Sequence, residues 1–221
     1  MITVHHLENS RSQRILWLLE ELGLEYEVKS YNRNPKTMLA PPELEQVHPL
    51  GKSPVITDGG NTVAETGAII EYLVAKADGK LAPKPGTPEH LDYVYWLHYA
   101  EGTLMPLLVM KLIFGRLNKS PMPLPLRPFA GLIAMGVQQK FLNPRLTSNL
   151  AFIDAELGKK EWLAGKDFSA ADVMMSFPLE AADARGGLGD YPNIVKFVKR
   201  IHAMPGYKKA LERGGPYQLM S

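Results

Sequence analysis

Three short stretches carry side chains able to handle a small charged molecule. Asn9 and Ser10 stand just ahead of an amphipathic run, "SQRILWLLEEL". Both are good helix N-caps, since their side-chain oxygens can accept from free amides. The same place has a second use: a helix start gathers unpaired amides and partial positive charge, which favours an anion, thiolate included. A hydroxyl there could donate to that anion. "HPLGKSPVITD" (48–58) places Lys52, Ser53 and Pro54 at the entrance of a strand. Pro54 removes a ladder donor there. A trans Ser53–Pro54 bond would make an ordinary turn. A cis bond would let the Ser53 amide and carbonyl face a cleft, where an extended peptide could pair as an added strand. "AETGAII" (64–70) ends a strand and opens a helix. Thr66 reads as its cap and Glu65 as an acidic neighbour. The same residues could hold an amino-acid head group, helix amides and the Thr66 hydroxyl taking the carboxylate and Glu65 the ammonium.

Other patterns are structural. Ser169-x-x-Asp172 in "DFSAADVMM" is a capping box with Asp in place of the usual Glu, and is expected to serve folding. His5 and His6 lie on a strand, so they point to opposite faces and make a poor metal pair. No metal site is expected. "RGGLGD" (185–190) has no strand before it and is not a dinucleotide loop. Tyr93, Tyr95, Trp96 and Tyr99 read as helix-packing aromatics rather than a binding box, with a place at the cleft open to some of them.

Composition narrows the chemistry. The 221-residue chain has no cysteine, which removes disulfides, thiolate metal sites and a protein thiol nucleophile together. Its formal charge of +2 comes with scattered Lys and Arg, too little for a nucleic-acid partner. "MITVHHL" has neither the basic start nor the apolar core of a signal peptide. The most apolar stretch, "MPLLVMKLIF" (105–114), is short and carries Pro106 and Lys111, so it cannot span a bilayer. A soluble cytoplasmic protein without a membrane partner is expected.

The elements that must position these residues fall into two groups. Residues 2–7 and 26–31 read as strands around a helix with Ile15, Leu18, Leu19 and Leu22 on one face, ended by Gly23. "PPELEQV" (41–47) reads as a short helix. "SPVITD" and "NTVAE" form a hairpin about Asp58-Gly59-Gly60, and 66–77 is helical. The β-α-β-α-β-β-α order suits a small mixed sheet. After the Pro- and Gly-rich 78–90 no strand follows. A long helix from residue 89, kinked at Pro106, leads to the proline-broken "NKSPMPLPLRP" (118–128). Helices are expected over 129–157, 170–185, 192–203 and 206–213. The domains are therefore 1–79, a linker 80–88, and an all-helical 89–221.

These elements together resemble the cytosolic glutathione S-transferases of the serine type, as bacterial and fungal members have them. The residues that carry the likeness, in order, are Ser10-Arg-Ser-Gln-Arg14, "HPLGKSP", "ETGAIIEYL" and "FSAADV". The resemblance implies a thioredoxin-like N-terminal domain followed by a C-terminal helical bundle. It implies glutathione as co-substrate, no metal, a hydrophobic electrophile between the domains, a homodimer and a role in detoxification. It further implies a cis Pro54, with the Ser53 backbone pairing the cysteinyl unit. Glu65 and Thr66 would hold the γ-glutamyl group, and Lys52 would lie near the glycyl carboxylate. Members differ in the residue that meets the sulfur. With no cysteine, and with the first tyrosine at Tyr26, Ser10 is left, with Asn9 as the neighbouring alternative. Leu104, Leu108 and Leu112 are expected to face the electrophile. Two departures stand out: Ser53 replaces a more usual apolar residue, and Gly67 a larger, often polar one. The expected reaction is conjugation by an activated glutathione thiolate. Reduction of organic hydroperoxides by the same thiol, and a non-enzymatic interaction module on the same fold, are the alternatives.

Overall fold

The computed structural model describes residues 1–184, 186–215, 217 and 219. The N-terminal part contains β1 (Ile2–Leu7), α1 (Ser12–Leu22), β2 (Tyr26–Tyr31), β3 (Val55–Asp58), β4 (Asn61–Ala64) and α2 (Thr66–Lys76). They build one four-stranded sheet in the order β2-β1-β3-β4. β1 pairs parallel with β2, with Ile2 opposite Tyr26, and antiparallel with β3, with Val4 opposite Ile56. Parallel neighbours need a crossover, which α1 supplies, while the antiparallel β3–β4 pair closes through Gly59-Gly60. Gly59 takes a positive φ of 60°, which a side chain would resist.

The remaining helices are α3 (Pro88–Tyr99), α4 (Met105–Arg116), α5 (Arg127–Val137), α6 (Asn143–Lys159), α7 (Ala170–Asp183), α8 (Pro192–Ala203) and α9 (Pro205–Gly214). The kink expected near Pro106 takes the form of a π turn, Ala100–Leu104, between α3 and α4. Pro106 has no amide to continue the regular ladder, and the widened turn bonds Met105 N–H to the Ala100 carbonyl. A second π turn, Gln138–Leu142, joins α5 to α6. The "PPELEQV" helix shrinks to a 3₁₀ turn over Pro42–Leu44. The expected last residue of α7, Arg185, lies outside the described residues.

Two helix starts differ from expectation. α1 begins at Ser12 with Arg11 at its N-cap, so neither Asn9 nor Ser10 occupies the cap position. α2 begins at Thr66 with Glu65 at its N-cap, so Thr66 is the first helical residue rather than the cap. α1 also buries more than one face. Beyond Ile15, Leu18, Leu19 and Leu22, Leu16 and Trp17 are buried, because α1 is covered by the sheet on one side and by α7 and α9 on the other. Trp17 packs edge-on against Tyr207 of α9, with ring centroids 5.3 Å apart. Each such large apolar side chain contributes about 1.5–3 kcal/mol.

α7 is the buried axis of the helical part. Its capping box is complete: the Asp172 carboxylate accepts from the Ser169 amide and hydroxyl, both at 2.9 Å. The other carboxylate oxygen accepts from the Leu163 amide at 2.9 Å, tying in the chain before the helix. Burial pushes the Asp172 carboxyl up to about 6, against these donors. Asp172→Ala is expected to cost about 3 kcal/mol in urea unfolding, since it removes a cap and strands the Leu163 amide. The titration has a definite sign. A folded pKa raised above the ordinary carboxylate value stabilises at low pH, and that contribution is lost as pH rises through about 6. The stability of the wild type relative to Asp172→Asn should therefore fall between pH 4 and 6.

Candidate functional site

A cavity of about 580 Å³ lies between the sheet and the helical part, lined on the sheet side by Lys52, Ser53, Pro54, Glu65 and Thr66. Leu97, His98 and Glu101 from α3 and the π turn, and Met174 from α7, line the other side. Five of the seven residues singled out in sequence therefore share one cavity. Ser53–Pro54 is cis. The β1–β3 ladder ends at the His5–Val55 pair. Beyond it the Ser53 hydroxyl donates to the His5 carbonyl at 2.8 Å and accepts from the Leu7 amide at 3.3 Å. A side chain thus replaces the ladder where proline cannot donate, which gives a physical reason for serine over an apolar residue.

Glu65 enters α2 at φ 71° and ψ 127°, an uncommon backbone region for a side-chain-bearing residue that costs about 1–3 kcal/mol. It is exposed at the cavity, whereas Thr66 is buried and its hydroxyl accepts a long 3.4 Å bond from Arg14. A Cβ at Gly67 would meet nothing within 4 Å, so the small residue leaves open space at the cavity wall.

Ser10 and Asn9 lie elsewhere. Ser10 is buried and outside the cavity lining, beside Arg11, which lines it. Its hydroxyl accepts from the Ser12 amide at 3.2 Å and lies 2.7 Å from the Ser12 hydroxyl. The Ser12 hydroxyl in turn is 2.8 Å from His6 Nδ1, with a longer 3.3 Å approach to the Leu7 carbonyl. Burial holds the His6 imidazole below its ordinary pKa, and a hydrogen bond to the Gly214 backbone works the other way. The Ser10 hydroxyl, the Ser12 hydroxyl and His6 Nδ1 thus form one hydrogen-bonded chain. Gly214 comes close enough because it has no side chain: a Cβ there would lie 2.7 Å from Leu16 Cδ1. His5 has different partners, Tyr31 at 2.9 Å and Thr57 at 3.3 Å, as opposite strand faces require. Asn9, at φ 48°, lines a separate cavity of about 240 Å³ with His6, Tyr31 and Gly214. Its carbonyl accepts from Arg33 at 3.4 Å.

Leu104 and Leu108 are packed in the core, and neither they nor Leu112 line the main cavity. Leu104 closes the π turn and Leu108 lies one turn into α4, both facing the core, while Leu112 is half-buried. In place of the expected leucines stands an unanticipated charged group. The Glu101 carboxylate accepts from Arg11 Nε at 2.9 Å and from Arg14 Nη2 at 2.5 Å. Arg14 is fully buried and also donates to the Met174 carbonyl at 2.7 Å. Both guanidinium groups lie about 5 Å from the Phe177 ring, at 5.0 Å for Arg11 and 5.1 Å for Arg14. Burial pushes the Glu101 carboxyl up, and Arg14 and Arg11 outweigh it, so it stays ionised below the ordinary range. Arg11 and Arg14 are one helical turn apart, a spacing visible in sequence; Glu101, some ninety residues on, left no local signal. Glu101→Ala should destabilise by about 2–3 kcal/mol by stranding buried Arg14, and Arg11→Ala by under about 1 kcal/mol, both read by urea unfolding.

Residues 1–75 match the glutathione S-transferase N-terminal domain, and residues 138–205 match the C-terminal domain of the same family. The chain is 37% identical over 216 residues to glutathione S-transferase 3 of Schizosaccharomyces pombe, covering 96% of this chain and 88% of that protein. A crystal structure of a glutathione S-transferase from Actinobacillus pleuropneumoniae superimposes with a TM-score of 0.81 at 35% identity, covering 97% of this chain and 93% of that one. A glutathione transferase from Phanerochaete chrysosporium, solved with oxidized glutathione, gives a TM-score of 0.74 at 25% identity over 96% of each chain. With the sheet order, the helical domain and these likenesses in agreement, the chain belongs to the glutathione S-transferase family of enzymes.

Proposed function

We propose that the chain binds glutathione in the 580 Å³ cavity and activates its thiol for attack on a hydrophobic electrophile. The observation that carries this reading is the convergence of Lys52, Ser53, Pro54, Glu65 and Thr66 on one wall. These residues offer complementary groups for an extended anionic tripeptide. Glu65 and the first amides of α2 take the ammonium and carboxylate of the γ-glutamyl end. The backbone of Ser53 pairs with the cysteinyl unit, and Lys52 draws the glycyl carboxylate. The thiol then lies toward the start of α1.

Ser10 serves that thiolate by turning its hydroxyl. It exchanges a neutral bond to Ser12 for a charge-assisted one to sulfur, a stronger kind of bond. An ordinary thiol titrates near 8.5, and lowering it by about two units needs about 2.7 kcal/mol of preference for the thiolate. A bond to a charged acceptor supplies about 1.5–3 kcal/mol, and the α1 start about 0.3–1. Arg11, in the cavity wall, adds positive potential that Glu101 partly offsets. The electrophile lies against Leu97, Met174 and the open side of Gly102. The homodimer expected of this family would cover the exposed Leu91, Val94 and Tyr95 on α3.

Ser10→Ala should lower turnover of a chloronitroaromatic by about 10- to 100-fold while glutathione affinity by calorimetry changes little. Glu65→Gln should show the opposite pattern, a higher KM for glutathione with a smaller change in kcat. If Arg11→Ala, and not Ser10→Ala, produces the loss of turnover, thiolate stabilisation belongs to the guanidinium.

A further inference from the structure

The turn end of the α4–α5 hairpin has a composition that glutathione chemistry does not explain. From Gly102 to Ile153 the sequence contains no Asp or Glu, yet it carries Lys111, Arg116, Lys119, Arg127, Lys140 and Arg145. All 23 acidic residues lie outside this stretch, so the mild overall charge hides a strongly basic region. None of the six cations makes a salt bridge among the described residues. The same stretch holds ten of the 17 large apolar side chains exposed among the described residues.

Six of those ten surround the hairpin turn. Phe129, Leu132 and Ile133 are 67%, 61% and 60% exposed, and their i, i+3, i+4 spacing puts them on one face of α5. Leu124 and Leu126 project from the proline-rich connection, and Ile113 from the facing end of α4. Arg116, Lys119 and Arg127 lie within the same turn region. A patch of this kind on a soluble protein marks an interaction surface.

The charge selects the occupant. A second copy docking this patch on itself across a two-fold axis would face cations with cations. The exposed apolar face of α3, at Tyr95, is about 27 Å away at the helical rise, 18 residues before Ile113, and provides a separate surface for a copy. No helix among the described residues is long and apolar enough to cross a membrane, but lying on one requires only apolar side chains ringed by Lys and Arg.

We propose that the α4–α5 turn is a peripheral docking surface for anionic lipid membranes, with Phe129, Leu132 and Ile133 entering the interface and Arg116, Lys119 and Arg127 meeting the headgroups. Spontaneous desolvation of the exposed leucines and phenylalanine supplies the burial, and the absence of carboxylates removes repulsion from a negative surface. The proposal is independent of the glutathione reading.

The test is co-sedimentation of the full chain with vesicles of phosphatidylcholine alone and of phosphatidylcholine with one quarter phosphatidylserine. Binding to the anionic vesicles is expected, weakened several-fold by high salt. Lys119→Gln should cut partitioning about fivefold. The double variant Leu132→Glu and Ile133→Glu should abolish it while retaining the wild-type circular dichroism and glutathione affinity. Absence of wild-type sedimentation with anionic vesicles at low salt overturns the proposal, as does equal binding to both vesicle types. Loss of oligomer in the double variant, without vesicle binding by the wild type, would assign the face to a second copy and also overturn it.

Discussion

The buried Arg14 guanidinium holds the cleft together. It rises from the first turn of α1, reaches the Met174 carbonyl on α7 and Glu101 on the π turn, and touches Thr66 at the start of α2. A charge so deeply buried survives only with close acceptors, so its partners cannot drift apart cheaply. One side chain thereby fixes the first turn of α1, the first residue of α2 and the helical wall. Preorganisation of this kind matters for a site whose proposed task is to favour a thiolate over a thiol, because a donor that must be ordered on binding loses part of its effect.

A second constraint operates on the other side of α1. The Ser10–Ser12–His6 chain holds the Ser10 oxygen in place. Burial disfavours the charged imidazole of His6 at the end of that chain. The cost of this arrangement is a buried histidine next to a chain that must pass without a side chain, which Gly214 allows.

Much of this was legible in sequence. The capping box at Ser169 and Asp172, the Gly59-Gly60 hairpin, the proline kink and the change from mixed sheet to helices all depend on local chemistry that short stretches encode. The wall residues Lys52, Ser53, Pro54, Glu65 and Thr66 were legible for the same reason, since each stands at a strand or helix terminus. What failed were features set by distant partners. Thr66 is the first residue of α2 rather than its cap, and its hydroxyl meets the distant Arg14, whereas Ser10, also displaced from a cap, bonds locally to Ser12. The leucines at 104, 108 and 112 stay out of the cavity, and the chain enters α4 through a π turn that ends at Leu104. Glu101 was invisible because its two arginine partners lie in the other domain. The basic hairpin turn was hidden by an overall charge of only +2.

The proposed activity requires that this cavity hold glutathione with its sulfur ionised. Ultraviolet difference titration of the wild-type protein saturated with glutathione tests it most directly. A thiolate absorbance with its midpoint about two units below that of the free thiol is expected. A midpoint unchanged from free glutathione, with binding demonstrated by calorimetry in the same sample, would contradict it.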